Sequence, residues 1–216
     1  VAELALEGKR GAVVALDPRS GEVLAMVSRP AFDANAFAGH ITTEYWKQLI
    51  SGTDNPMLNR AIQAQFAPGS TFKPIVALAG LETGTIDDHE TFRCPGGATF
   101  FGRYFKCWQK KGHGTVDVHH GIVQSCDVFF YNLGNKLGID QIAAYAEMAG
   151  IGKKTGIDLP GEAEGLMPSS KWKLRTQRQK WYAGETISVA IGQGAVTTTP
   201  LQLASAIGGI VSGGMW

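Results

Sequence analysis

No run of about 18 uninterrupted apolar residues occurs in the sequence, and the start from Val1 is mixed and partly acidic rather than a basic stretch leading into an apolar one. The 216 residues as they stand therefore read neither as membrane-spanning nor as carrying a signal peptide. Net charge is nearly absent as well. The 20 Lys+Arg against 19 Asp+Glu leave +1, which lacks the basic footprint that a phosphate backbone or anionic lipid demands and argues against a nucleic-acid partner. Repeats and low-complexity linkers are missing. An initiator Met is missing too, and the sequence stops at Trp216 straight after an apolar, Gly-containing segment, so the expectation is a fragment with both ends cut. What is present excludes disorder, since 44% hydrophobic and 18% charged residues supply one sizeable core. Glycine numbers 28, well above an average share of about 7%, and many glycines fall in turns beside short apolar runs. A loop-rich mixed domain follows.

The first recognisable unit runs from Gly11 to Ser28, where Ala12–Leu16 and Val23–Val27 flank Asp17-Pro18-Arg19-Ser20-Gly21. Apolar runs around a Pro and Gly turn predict a β-hairpin, and runs that are apolar throughout predict strands covered on both faces by helices. The class is mixed α/β. Residues 30–68 form a long irregular excursion with a short helix over 43–50, too long for an idle connector. A buried helix starts near Ser70 and runs to Leu81, with Pro74 tolerable only in its first turn. The stretch 91–114 is turn-rich. Helices resume over 116–133 and 139–149, a short charged helix begins at Ser169 or Ser170, and Thr199-Pro200 caps a helix over 201–210.

The pattern S-x-x-K occurs twice, at Ser70-Thr71-Phe72-Lys73 and at Ser170-Lys171-Trp172-Lys173. Its chemistry needs a Ser at a helix N-terminus and a Lys one turn later on the same face, where an apolar setting lets the ammonium give up charge and take the Ser proton. Lys73 lies in an apolar helix, where an unpaired charge is expensive without a purpose. Lys173 sits among Lys171, Arg175, Arg178 and Lys180 and reads as part of a solvated basic face. Ser70 and Lys73 are therefore the candidate nucleophile and base. Met26, Trp108 and the run Phe129-Phe130-Tyr131 read as core, and His40, His89, His119 and His120 as surface or loop residues.

Further motifs extend the pattern: Phe66-Ala67-Pro68-Gly69 before Ser70, Ser125-Cys126-Asp127, Gly156-Ile157-Asp158-Leu159-Pro160-Gly161-Glu162, Gly192-Gln193-Gly194, and Thr199-Pro200-Leu201-Gln202-Leu203-Ala204. With the hairpin, and in this order over essentially the whole chain, they resemble the transpeptidase domain of class B penicillin-binding proteins, nearest the elongation-type (penicillin-binding protein 2) subgroup. The resemblance implies a penicillin-binding/serine β-lactamase-like fold, an antiparallel sheet with a mostly helical subdomain. The hairpin at 1–28, a helical and loop-rich part over roughly 30–200 and a C-terminal helix over 199–216 would be its pieces. It implies a peptidoglycan D,D-transpeptidase that crosslinks stem peptides through an acyl-enzyme on Ser70 and is acylated by β-lactams. Lys73 would be its base, and Ser125 would relay a proton to the leaving group. Asp127 stands where the family's second motif commonly has Asn. It implies, further, a location on the periplasmic face of the inner membrane and a membrane glycosyltransferase partner bound through regions outside this chain. Alternatives are a serine β-lactamase or D,D-carboxypeptidase, and a β-lactam-sensing or otherwise non-catalytic zinc-containing fragment.

The family's third motif, K-T-G on a strand beside the nucleophile, has a decoy in Lys154-Thr155-Gly156. That triplet lies 29 residues past Ser125 in a Gly-rich connector with no apolar run before it. In relatives the strand follows the T-P-L-Q-L-A helix, so the expectation is a chain that ends before its third motif, with C-terminal sheet strands missing.

Cysteines are few: Cys94, Cys107 and Cys126, with His113 between the last two and no C-x2-C knuckle. Three thiols and one imidazole make a complete tetrahedral zinc set. The resemblance adds weight, since elongation-type relatives can carry a zinc site at matching positions. A Cys94–Cys107 disulfide with Cys126 buried and free remains the other reading. A metal here would be structural and would pin the loop of Ser125 and Asp127.

Overall fold

A computed structural model describes residues 1–214. The chain forms two compact units, one from residues 1–65, 154–163 and the segment from Thr199, the other from residues 66–153 and 164–198. Elements are numbered in chain order. Among the described residues no helix is long and apolar enough to cross a membrane.

The first unit holds the hairpin, β1 (Gly11–Leu16) and β2 (Val23–Arg29), antiparallel with Gly11 opposite Arg29 and an irregularity at Ala15/Leu16. Its turn closes because the Asp17 carboxylate accepts from the Arg19 amide (2.9 Å) while the Asp17 amide donates to the Glu22 carbonyl (2.9 Å). Short helix α1 (Ala2–Ala5), a 3-10 turn at Ala34–Phe37, α2 (Thr43–Ser51) and α9 (Pro200–Val211) complete the unit. α9 starts where the sequence says it should. Thr199 Oγ1 accepts from the Gln202 amide, Gln202 Oε1 accepts from the Thr199 amide, and Pro200 occupies the first turn, where no amide is needed. The unbroken apolar runs suggested strands covered on both faces by helices, and the cover is partial, with α9 against β1 and α1 against β2. Every β1 residue is half-buried, and alternate residues Ala12, Val14 and Leu16 pack on Ala61, Ile62 and Leu201. Alternation puts those three on one face.

The second unit is built around a largely buried helix, α5 (Asp127–Leu137). Its elements are α3 (Lys73–Glu82), β3 (Phe92–Cys94), β4 (Gly97–Phe100), β5 (Arg103–Lys106), β6 (Gly114–Val116), α4 (Val118–Val123), α5 (Asp127–Leu137), α6 (Ile139–Met148), α7 (Ser170–Gln177) and α8 (Ala183–Val189). α5 packs on α3, α6, α8 and β3, and its Phe129, Phe130 and Leu133 have no exposed surface. The helical run expected over 116–133 is thus two helices with a break at 124–126. The turn-rich 91–114 also contains two short antiparallel ladders, β3 with β6 and β4 with β5. α8 was not legible, because Gly184 and the β-branched Thr186, Ile187 and Val189 give weak helix propensity. Packing on α5 makes it a helix.

Close packing at α5 depends on glycine at one point. A Cβ on Gly134 would stand 2.4 Å from the Ala190 Cβ. Gly134→Ala gains about 1 kcal/mol of helix propensity but overpacks a filled interface at a cost of about 1–3 kcal/mol, so a net loss near 1 kcal/mol is expected. Gly208→Ala in α9, whose nearest neighbour atom would be 4.0 Å away, should gain up to about 1 kcal/mol. Urea unfolding midpoints at unchanged slope measure both, and stabilisation by Gly134→Ala would contradict the packing described.

Candidate active site

Ser70 lies in a 3-10 turn, Gly69–Phe72, that runs directly into α3. The reason is Pro74. Its missing N–H leaves the Ser70 carbonyl without an i→i−4 donor, and the Lys73 amide takes that carbonyl instead. The turn leaves Ser70 exposed and directs Lys73 inward, where it is 1% exposed. The turn is held from outside by a backbone pair, the Gly69 amide donating to the Gly192 carbonyl at 2.8 Å. A Cβ on Gly192, whose φ is +70°, would fall 2.1 Å from the Gly69 carbonyl oxygen, so glycine is required there.

All three N–H groups of the Lys73 ammonium find acceptors in the break between α4 and α5: the Ser125 carbonyl at 2.9 Å, Ser125 Oγ at 3.0 Å and Asp127 Oδ1 at 2.7 Å. Ser125 presents both groups because its backbone is left-handed, with φ +52°. That conformation costs about 1–3 kcal/mol in a non-glycine residue. It is fixed by the Ser125 amide to the Ile122 carbonyl (3.0 Å) and the Cys126 amide to the Gly121 carbonyl (2.9 Å). Asp127 is held at both oxygens, Oδ2 accepting the Trp108 amide at 3.1 Å. A cavity of about 620 Å³ opens over these groups, with Ser70, Trp108, Ser125, Asp127, Tyr131 and Gln193 in its wall. Burial, with the nearby Asp127 charge second, pushes the Tyr131 hydroxyl well above its ordinary value. It therefore stays a donor, to the Lys106 carbonyl at 3.0 Å.

Cys94, Cys107 and Cys126 are free and buried, and their sulfurs and a His113 ring nitrogen all lie within 4.8 Å of one another. Nδ1 of His113 is 3.6 Å from both the Cys94 and the Cys107 sulfur. Burial pushes the Cys126 thiol up to about 12 and also raises Cys107. These four residues form a cluster able to hold a metal ion, and Cys126 joins Ser125 to Asp127.

Several sequence readings change. Ser125 sits in a break, not in a helix. Trp108 is not core. It is 61% exposed at the cavity while Phe129, Phe130 and Tyr131 are buried as expected. A large aromatic alone in the polar stretch 107–114 was the available signal. Lys173 is not on a solvated face. It is 4% exposed, bonded to both Glu185 oxygens at 2.5 and 2.6 Å and lying over the Tyr182 ring. Ser170 is bonded through its amide and hydroxyl to Asp140. Lys154-Thr155-Gly156 is closed on its own connector, with the buried Glu162 carboxylate accepting from the Thr155 amide (2.7 Å), the Thr155 hydroxyl (2.6 Å) and the Gly156 amide (3.3 Å). His40, His89, His119 and His120 are exposed, the last two within α4.

A family profile described as the penicillin-binding protein transpeptidase domain matches residues 11–216. The chain belongs to that family. Among curated proteins, the peptidoglycan D,D-transpeptidase MrdA of Acinetobacter baumannii is 49% identical over 212 residues, covering 95% of this chain and 31% of the relative. Among solved structures, Pseudomonas aeruginosa PBP2 in complex with WCK 5153 superposes with a TM-score of 0.96 at 42% identity, covering 100% of this chain and 49% of that one. Helicobacter pylori PBP2 in complex with MreC gives 0.94 at 37% identity, covering 98% and 40%. The chain thus spans about a third of the curated relative's length, and its mixed α/β fold is that of the penicillin-binding transpeptidases.

Within this family the acid at position 127 is explained by its two donors. An amide there has one acceptor oxygen, so its NH2 must face either Lys73 or the Trp108 amide. Asp127→Asn should therefore lower stability by about 1–3 kcal/mol through one buried donor left unpaired, and Asp127→Ala by about 3–5 kcal/mol through a buried ammonium without its counter-charge. Chemical denaturation of the three proteins checks the order, and an Asn variant as stable as the parent would show that Oδ2 is idle.

Proposed function

We propose that this domain is the acyl-transfer part of an elongation-type peptidoglycan D,D-transpeptidase and a target of β-lactams. The observation that carries the reading is the buried Lys73 ammonium, bonded to Ser125 and Asp127 beneath the cavity onto which Ser70 opens. Ser70 Oγ attacks the carbonyl between the last two D-alanines of a stem peptide. As that bond forms, the Ser70 proton passes to Lys73 in its amine form, and the carbonyl oxygen becomes an oxyanion. Collapse breaks the C–N bond, and Ser125, bonded to Lys73, relays the proton to the departing D-alanine amine. An amine from a second strand then attacks the ester, restores Ser70 and leaves a crosslink. With a penicillin the broken amide is in the ring, so the leaving amine stays tethered and the adduct persists.

The thiol cluster is part of the same reading, as a structural zinc site held by Cys94, Cys107, His113 and Cys126. Tetrahedral zinc with sulfur at about 2.3 Å and nitrogen at about 2.0–2.1 Å sets sulfur and nitrogen about 3.6 Å apart. The two Cys–His separations are 3.6 Å. Buried thiols that hold their protons become ligands only where a cation compensates the thiolates. The zinc would contribute folding free energy, not a reaction step. A periplasmic location, a membrane glycosyltransferase partner and a partner of the MreC kind belong to the proposal through the resemblance to much longer relatives, one of them the H. pylori protein complexed with MreC.

Ser70→Ala should abolish the covalent mass gain from a fluorescent penicillin, and Ser170→Ala should leave it intact. Loss in both variants would place the nucleophile elsewhere, and rapid release of the adduct to water would reassign the domain to the hydrolytic relatives. Elemental analysis should find about one zinc per chain, with all three thiols shielded from alkylation until a chelator is added. Affinity should fall as pH drops and protons compete for sulfur and imidazole. A mass about two units lower with one free thiol and no metal would establish the disulfide instead.

A further inference from the structure

Trp108 makes three hydrogen bonds that the reaction as described does not use, and its ring packs edge-on against the His113 imidazole with centroids 5.3 Å apart. Its amide donates to Asp127 Oδ2 at 3.1 Å, and its indole Nε1–H donates to both the Gln124 and the Ser125 carbonyls at 3.1 Å. The ring itself is mostly exposed in the cavity wall. A tryptophan this exposed and this firmly bonded is held in place for something other than burial.

The Ser125 carbonyl has two donors, Lys73 Nζ and Trp108 Nε1, whereas the bond count of Lys73 changes during acyl transfer. As an ammonium it has three N–H groups for three acceptors. As an amine with its lone pair turned to Ser70 Oγ it has two. One acceptor must then lose its donor. Asp127 Oδ1 is charged, and Ser125 Oγ is the proton's next station. The Ser125 carbonyl is the acceptor with a second donor already in place.

We propose that Trp108 is a positioning residue for acyl transfer: its indole N–H holds the Ser125 carbonyl, and with it the left-handed backbone that aims Ser125 Oγ, while Lys73 exchanges contacts to receive the Ser70 proton. This rests on the transpeptidase reading above. During that exchange the proton moves from Ser70 Oγ to Lys73 Nζ, the Oγ–carbonyl bond forms, and the lactam C–N bond breaks with its nitrogen receiving the proton. Trp108 neither gains nor loses a proton throughout.

The test replaces the N–H without changing the ring. β-(3-Benzothienyl)alanine at position 108 puts sulfur where the N–H was, Trp108→Phe removes the N–H with part of the ring, and 5-fluorotryptophan at 108 keeps the N–H. In the intact protein, stopped-flow labelling with a fluorescent penicillin separates the binding constant K from the acylation rate k2. The benzothienyl protein should lose about tenfold in k2 with K within about twofold. Trp108→Phe should lose at least as much, and 5-fluorotryptophan should restore the parent rate. A benzothienyl k2 within about twofold of the parent would overturn the proposal, as would a loss confined to K, which would make Trp108 a binding wall alone. Failure of the unsubstituted protein to gain mass at Ser70 would remove the transpeptidase reading, and this proposal with it.

Discussion

The second unit is organised by one buried cation. Lys73 sits among apolar side chains of α3 and over the Phe130 ring, where an unpaired ammonium would be costly. It therefore needs three acceptors within reach, and residues 125–127 supply all of them. A continuous helix across this region could not, because its carbonyls would be engaged along the helix. The break between α4 and α5, the left-handed Ser125 and the Asp at 127 are all consequences of satisfying this one charge. The same contacts bring the candidate proton relay beneath Ser70.

A strained break needs support, and it has support on two sides. Trp108 holds Asp127 and the Ser125 carbonyl from the β5–β6 connection, while Cys126, with no exposed surface, is packed into the cluster with Cys94, Cys107 and His113. Cys107 and Trp108 are adjacent, as are Cys126 and both motif residues. Whatever holds the thiols together is thus one bond away from each group that orients the Lys73 counter-ion. The Ser70 turn is held separately, by the Gly69–Gly192 backbone pair.

Much of this was legible in residue order. The hairpin, the cap at Thr199 and the buried helix after Ser70 follow from local chemistry, while the convergence of three cysteines with one histidine rested on a weak spacing that the family resemblance strengthened. What failed depends on contacts distant in sequence. The break at Ser125 was not read from 116–133, where apolar positions continue on both sides of it, and its cause is Lys73, 52 residues earlier. α8 and the two small ladders exist because α5 and its neighbours cover them. Trp108 looked like core because aromatic side chains usually are, and nothing in its own neighbourhood reveals the carbonyls 16 and 17 residues away that its indole serves.

The two S-x-x-K motifs make the limit of sequence reasoning concrete. Burial of the lysine was the criterion that favoured the first, yet Lys173 is nearly as buried as Lys73, and each is paired with a carboxylate. The difference lies in what else the lysine and the serine touch. Lys173 places its charge on both oxygens of one Glu and on aromatic faces, with no serine hydroxyl bonded to it among the described residues, and Ser170 is tied to Asp140 as part of the start of α7. Lys73 shares its charge between an acid and a second serine, beneath an exposed Ser70 on an open cavity. The Lys73 arrangement links its ammonium to a second hydroxyl, and the Lys173 arrangement, among the described residues, ends at one carboxylate. Connectivity of the charge, rather than its burial, is the property that separates Lys73 from Lys173.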